Sequence, residues 1–333
     1  MPAHAASAAS GIRVHYRAGW LSWVSSVNAC LEGLGLTCKA SDVAGMSGYA
    51  FHLAIHRDVH PCGPTVLPRA DLEDGIWYLG RATLSFGRGE CHTSGQANAR
   101  TAAHARTAFE LARREIEAGR PCVMWGAYLP EFAVVTGIEG DCYRVSSFRE
   151  CLDQPQPPIP AEAVNAPGGP YTLTFPMPVE LDRAEGDCRA LDRAIAFARR
   201  PAPSAEYAYG PEGYSLWIDA LQSGRADAFG NSYCAAAYAE ARREGQHFLE
   251  TLARRHRRTE ELLMEASLAC ATVADALERI SALFPFPAAP YDPEAGDPVL
   301  DDTSIPEACD DLAIARDADT EAIALLEDAR AAM

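Results

Sequence analysis

The pair Ser22-Trp23, in the stretch AGWLSWVSS, combines a hydroxyl and an indole at the predicted start of a helix. A serine hydroxyl becomes a nucleophile when a base lies within hydrogen-bond reach, so this position could carry acyl chemistry. The same residue types also fit a simpler role, in which Ser22 caps the helix and the neighbouring aromatic residues pack in the core. The local sequence leaves both interpretations open.

Cys30 is a second nucleophile candidate, eight residues after Ser22. It lies about two helical turns from that serine, in the apolar stretch VNACLEGLGL. A cysteine in the middle of such a helix is typical of a small core residue. We therefore predict that Cys30 is a buried thiol, and nucleophilic attack by Cys30 is the alternative.

The segment FHLAIHRDVHPC concentrates residue types that ligate metals, namely His52, His56, His60 and Cys62. A spacing of four aligns side chains on a helix face, and an even spacing aligns them on a strand face, so both permit metal ligation. Cys91 and His92 could add ligands. The preceding GMSGYAF is typical of a loop that enters a strand, and one polar strand face accounts for the histidines. We predict no metal or other cofactor, with a histidine-based metal site as the alternative.

A third cluster lies in the second half of the chain, where Glu244 and His247 form a Glu-x-x-His motif and Glu240 precedes them. Di-iron carboxylate proteins use this motif on bundle helices, but they need a second copy on another helix. The stretch EELLMEA provides acids without the matching histidine. We therefore expect Arg242, Arg243 and these acids to form surface ion pairs.

The elements that must position these residues differ between the two halves of the chain. In the first half we predict a helix ending near Gly33 or Gly35, a strand in CVMWGAY and a strand in PYTLTFPMP. EFAVVTGIEGDCYRVSSF predicts a hairpin with its turn at 139–141. A long helix precedes GRP, with an apolar stripe formed by Ala105, Ala108, Phe109, Ala112 and Ile116.

The second half, 182–333, is predicted to be almost entirely helical, because each of its long segments carries an amphipathic pattern. Tyr214 and Trp217 share one helix face and are expected to pack in a core, a ligand-pocket wall being the alternative. The predicted organisation is a disordered tail over 1–11, an α+β domain over 12–178 and an all-helical domain over 182–333. The boundary falls near 178–187.

Composition excludes several classes of function. The 333 residues carry a net charge of −17, and this acidity argues against nucleic acid and anionic lipid as partners. No apolar run is long enough for a membrane helix, and the N-terminus lacks the features of a secretory signal. Eleven irregularly spaced cysteines indicate reduced thiols and a cytoplasmic protein.

The order of elements over 12–178 resembles the papain-like superfamily, in its C39-peptidase-like and butirosin-biosynthesis-protein-H-like branch. Domains of this type begin a helix with the catalytic Cys and have a Gly about thirteen residues on, as Ser22 and Gly35 do here. A G-x-P strand follows, then a strand opening H-F-V-V-V-T-G, to which EFAVVTG corresponds. The helical second half is similar to the region that accompanies the butirosin-type domain.

The resemblance implies a nucleophile, a base and an orienting group at matched positions, and this chain departs from the pattern at each. Ser22 takes the Cys position and Glu131 takes the His position. Ser146 or Ser147 takes the Asp position. Tyr16 stands near the place of the usual oxyanion-donating Gln.

Without an imidazole the Ser-His relay is missing, and a carboxylate is a weak base for a hydroxyl. Trp23 matches the indole that follows the nucleophile in papain-type sites. The candidate ligand-binding residues are Trp23, Tyr16, Ser146 and Trp125. An indole face and a carboxylate together suit a cationic or amine-bearing ligand.

We therefore predict a papain-like α+β domain followed by an all-helical domain. Its altered site, with Ser22, Glu131 and Ser147 in the catalytic positions, is predicted to bind a small amine-bearing molecule or peptide. The alternative is an acyltransferase or amide hydrolase of the butirosin-biosynthesis type. There Ser22 would be the nucleophile, Glu131 the base and a nearby main-chain N–H the oxyanion donor. A homo-oligomer is left open.

Overall fold

The structure is a computed structural model that describes residues 11–66, 69–87, 99–164, 169–201, 204–287 and 298–333. Side chains are described over these ranges except at 99–102. Most of the predicted tail over 1–11, together with Cys91 and His92, lies outside the described residues. Gly11 is described, and it bridges Gly137 in an antiparallel pair.

The first half of the chain contains both helices and strands, and helices dominate the second half. The helices are α1 Ser22–Gly33, α2 Ala40–Ser47, α3 Arg69–Trp77, α4 Ala99–Glu117, α5 Arg183–Ala198, α6 Pro211–Gln222, α7 Ala228–Arg255, α8 Glu260–Leu283 and α9 Ile305–Ala332. The strands are β1 Ala54–His56, β2 Leu84–Gly87, β3 Cys122–Trp125, β4 Phe132–Glu139, β5 Cys142–Ser146, β6 Ile159–Pro160, β7 Tyr171–Thr174 and β8 Tyr207–Tyr209. The mixed α and β character and the helical C-terminal region agree with the prediction.

The described residues divide into two units that are discontinuous in sequence. The first unit takes residues up to Lys39 together with Gly80–Glu180, and the second takes Ala40–Leu79 together with Leu181–Met333. The later division between the units falls between Glu180 and Leu181. The segment 40–79, expected in the first domain, instead belongs with the helices, because α2 packs against α3, α5 and α7.

The first unit is built on a six-stranded antiparallel sheet with the order β2-β7-β3-β4-β5-β6. The predicted hairpin is confirmed: β4 and β5 pair through Glu139 and Cys142. Only two residues join this pair, and Gly140 has a φ of 59°, which glycine adopts without the strain that a Cβ would cause.

Helix α4 covers one face of this sheet. The five residues of its predicted apolar stripe are all buried, from Ala105 to Ile116. Phe109 and Ile116 form one core with residues of β4, among them Ala133 and Val135. Because side chains alternate along a strand, Phe132 is directed to the other face of β4. Helix α1 also packs against β3 and β4.

The second unit has its core among α6, α7, α8 and α9. Tyr214 and Trp217 are completely buried there, which confirms the predicted core packing. Asp227 caps α7 by accepting a hydrogen bond from the Gly230 N–H at 2.5 Å. The short strands β1 and β8 form a separate two-stranded antiparallel sheet in this unit.

Arg242 corrects one expectation, because this predicted surface residue is completely buried. It lies in a helical series with Ala235, Tyr238, Gly245 and Leu249, all of which are buried on α7. Arg243, one position along, does form surface ion pairs, with Asp275 and Glu278. Within the described residues, every helix is too short or too polar to cross a membrane.

Candidate functional site

Ser22 and Glu131, 109 residues apart in sequence, are joined by a direct hydrogen bond from the serine hydroxyl to the carboxylate. Ser22 is the first residue of α1, and Glu131 immediately precedes β4. The Ser22 Oγ also accepts a hydrogen bond from the Phe132 N–H at 3.2 Å. The structure therefore brings together the two residues that the sequence matched to a nucleophile and its base.

Glu131 lies beside a hydroxyl donor and the first turn of a helix. The Ser22 hydroxyl donates to it, and a hydrogen bond to an ionised group is stronger than one between neutral groups. The carboxylate also lies beside the first turn of α1, where the positive end of the helix dipole favours a negative charge. Ser22 is almost wholly buried, whereas Glu131 is half-buried. Glu131 is therefore the more exposed residue of the pair.

Ser146 and Ser147, matched to the orienting position, are directed to partners other than Ser22. The Ser146 Oγ accepts from the Tyr16 N–H at 2.7 Å and donates to the Glu150 carboxylate. The Ser147 hydroxyl donates to the Gln156 Oε1 at 2.8 Å. These hydrogen bonds anchor the end of β5 and the segment that leads into α1.

The aromatic residues assigned to ligand binding are interior residues. Trp23 and Trp125 are 1% and 0% exposed, and Tyr16 is 5% exposed. The ring of Trp125 contacts that of Phe132, with centroids 4.7 Å apart. Their burial agrees with a packing role. Trp20, two residues before Ser22, is 37% exposed and is the more accessible indole of this segment.

Glu150 and His15 form a polar cluster that the sequence analysis missed. Glu150 Oε1 lies 2.5 Å from His15 Nδ1, and its other oxygen accepts from Ser146. The signal was present, since Ser147 and Glu150 have the Ser-x-x-Glu spacing of a capping box. Ser147 does cap the short 3-10 helix Phe148–Leu152, accepting from the Arg149 N–H. Glu150 instead turns toward Ser146 and His15.

The alternative of a histidine-based metal site finds no complete ligand set among the described residues, although the rings of His56 and His60 lie close together. Within the ranges that the structure describes, no group of three or more His, Cys, Asp and Glu side chains is arranged to hold a metal ion. His52 is completely buried beside the rings of Phe197 and Tyr209. Burial, reinforced by the nearby Arg242 charge, lowers the pKa of His52 to about 3. His52 is therefore a neutral core residue.

His56 and His60 use the nitrogens Nδ1 as acceptors. The N–H of Asp58 donates to His56 at 3.2 Å, and the N–H of Cys62 donates to His60 at 3.3 Å. A neutral ring that accepts at Nδ1 carries its proton on Nε2. In that tautomer the Nδ1 lone pair is used by the backbone N–H, and Nε2 has no lone pair to offer a metal.

The other candidates are placed as follows. Cys30 is completely buried, and burial raises the pKa of its thiol, so it is a core residue and a poor nucleophile. Burial, with a contribution from Asp42, also raises the pKa of Glu244. His247 is exposed on α7. The ten cysteines of the described residues are free thiols.

The glycine at position 35, on which the family resemblance partly depends, is explained by the way α1 ends. It has a φ of 83° just after α1. Its N–H donates to the Glu32 carbonyl and that of Leu36 donates to the Leu31 carbonyl, a Schellman motif. A glycine at this distance from Ser22 therefore marks where the helix ends.

Comparison of the chain with protein-family models and with the curated proteins finds no match to either.

Proposed function

We propose that the first unit is a papain-like domain whose altered site binds a small amine-bearing molecule or peptide through the Glu131 carboxylate. The observation that carries this proposal is the hydrogen bond from Ser22 to Glu131. It supports the matched positions, because residues distant in sequence meet where the resemblance implies a nucleophile and its partner. Burial of Ser22 and the partial exposure of Glu131 favour a receptor for a cation over a nucleophilic serine.

The chemistry of binding is a charge-assisted hydrogen bond. An ammonium group has three donors, and a carboxylate that is partly shielded from water binds them more strongly than a fully exposed carboxylate does. Ser22 holds one carboxylate oxygen in place through its hydroxyl, while the Phe132 N–H holds Ser22. The ligand therefore meets an oriented acceptor.

Isothermal titration with n-butylamine and with trialanine tests this function, and n-butanol serves as the uncharged control. We expect the wild type to bind the amines and Glu131→Gln to lose about 1.5–3 kcal/mol of binding free energy, the range of a charged hydrogen bond. Glu139→Gln, at the exposed end of the same strand, is the matched control and should bind as the wild type does. Equal binding by the wild type and Glu131→Gln would refute the proposal.

A second function, acyl transfer or amide hydrolysis, is favoured by the same direct contact between a hydroxyl and a carboxylate. In that reaction the Ser22 Oγ attacks the acyl carbon while its proton passes to Glu131. The Glu131 carboxyl group then donates that proton to the leaving amine, and water or an acceptor amine releases the acyl group. N–H groups at the start of α1 would stabilise the oxyanion.

A fluorophosphonate probe separates this second function from binding alone. Acyl chemistry predicts covalent labelling of Ser22 in the wild type and none in Ser22→Ala. The Ser146→Ala variant controls for labelling of the serine matched to the orienting position, and it should be labelled as the wild type is. Absence of labelling in a folded wild type excludes the nucleophilic role, and labelling that persists in Ser22→Ala assigns the reactivity elsewhere.

A further inference from the structure

In the turn that follows β1, two histidine rings lie close together, and a residue between them in sequence has a strained backbone conformation. The rings of His56 and His60 have centroids 6.0 Å apart. Between them Val59 has a φ of 53°, a left-handed conformation that a β-branched residue rarely adopts. Such strain persists only where surrounding contacts impose it, and it is often stored at a switch region.

Two of these contacts depend on unprotonated ring nitrogens. Each histidine accepts the backbone N–H two residues further on, Asp58 for His56 and Cys62 for His60. Protonation at Nδ1 removes both acceptors, because an imidazolium has donors only. It also places two like charges at the separation of the rings, where they repel.

The same turn contacts the start of α7. The Asp227 N–H, at the N-cap of this helix, donates to the Asp58 carbonyl at 2.8 Å. Gly230, in the first turn, lies so close that a Cβ there would come 1.9 Å from the Val59 carbonyl oxygen. The backbone at Val59 is therefore in direct contact with the helix, and a change in its conformation must disturb this contact.

We propose that the segment His56–Cys62 is an acid-sensitive latch, which holds the start of α7 when both rings are neutral and releases it when they are protonated. The latch is independent of the site at Ser22 and Glu131. The charged and titratable groups around the rings are Arg57, Asp58 and Cys62 in the turn, Glu206 and Tyr207 at β8, and Asp219, Arg225 and Asp227 at the connection between α6 and α7.

The balance of these groups gives the direction of the response. Burial lowers the pKa of His56, and His60 and Arg57 add to this effect, while Asp58 and Glu206 oppose it. Arg225 hydrogen bonds to the Arg57 carbonyl at 2.5 Å and lies 3.4 Å from an Asp58 oxygen, so it competes for the nearest acid. Since the closed turn binds a proton at His56 less readily than an open one, falling pH favours opening.

Hydrogen exchange of the full chain tests the latch. After correction for the intrinsic pH dependence, we expect exchange at the Asp58 and Cys62 amides to accelerate about tenfold between about pH 7.5 and about pH 5.5. The variant His56→Asn/His60→Asn should remove this acceleration, because an asparagine oxygen accepts the N–H two residues on and does not titrate. His247→Asn, at an exposed position on α7, should leave it intact.

If the double variant does not fold, NMR of the ring nitrogens in the wild type tests the latch. At about pH 8 both rings should carry the proton on Nε2, which is the tautomer required by acceptors at Nδ1. Protons found on Nδ1, equal exchange at the two pH values, or the same acceleration in the folded double variant would each overturn the latch.

Discussion

The ion pair between Arg242 and Asp319 is the contact whose disruption we expect to destabilise the second unit most. Two parallel hydrogen bonds of 2.9 Å join the guanidinium of α7 to the carboxylate of α9. Nη1 of Arg242 donates to the Ala50 carbonyl at 2.6 Å and to the His52 carbonyl at 3.3 Å. Burial alone would lower the pKa of Arg242, but the Asp319 charge more than offsets this and raises it.

The structure sets the size of the effect. Asp319→Asn removes the negative charge and leaves a cation with 0% side-chain exposure, for which the expected loss of unfolding free energy is about 3–5 kcal/mol. Glu327→Gln is a matched control, since Glu327 lies on the same helix and also binds an arginine, Arg199, through two hydrogen bonds. Those side chains are 40% and 59% exposed, so the expected loss there is about 0–1 kcal/mol.

Urea unfolding followed by circular dichroism at 222 nm measures these differences. A third variant, Arg242→Met/Asp319→Leu, removes both charges and should be more stable than Asp319→Asn, because it leaves no unpaired ion in the core. The reasoning is refuted if Asp319→Asn unfolds within 1 kcal/mol of Glu327→Gln, or if the double variant is the less stable of the two.

Three further predictions follow from individual contacts. The pKa of His52 is about 3 in the folded protein, so below pH 6.5 the unfolded chain binds a proton more readily than the folded chain does. This residue should therefore lower the unfolding free energy by about 1.4 kcal/mol per pH unit as the pH falls from 6.5 toward about 3. In acid unfolding, the stability of His52→Gln should fall less steeply with pH than that of the wild type. Ser22→Ala leaves the buried Phe132 N–H without this acceptor, and thermal unfolding should reveal a loss of about 1–3 kcal/mol. Gly45→Ala places a Cβ 2.0 Å from the Phe248 ring and should lose about 1–3 kcal/mol in urea unfolding, whereas the exposed Gly224→Asn should not.

Local sequence patterns predicted most of the long elements. The apolar stripe of α4 and the alternating pattern of β4 and β5 each predict which face of the element is buried. They do so because buried residues recur at a different spacing in a helix than in a strand. Short elements were missed, among them α2, α3 and the pairing of β1 with β8. Their stability comes from packing against distant helices, and a few residues carry too little periodicity to reveal it.

The site shows the same division. The sequence gives the residue types at positions 22 and 131, and the resemblance to papain-like domains predicted that these two residues lie together. Their hydrogen bond, the burial of Ser22 and the diversion of Ser146 and Ser147 to other partners depend on how α1 meets the sheet.

By itself, the sequence determined the general character of this protein: an acidic chain with a mixed N-terminal half and a helical C-terminal half. These properties follow from composition and from periodicity over neighbouring residues. The tertiary structure alone decided that 40–79 joins the helical unit, that Arg242 is buried and that Glu131 faces Ser22. Each of these depends on contacts between residues far apart in the chain, whose partners no local pattern specifies.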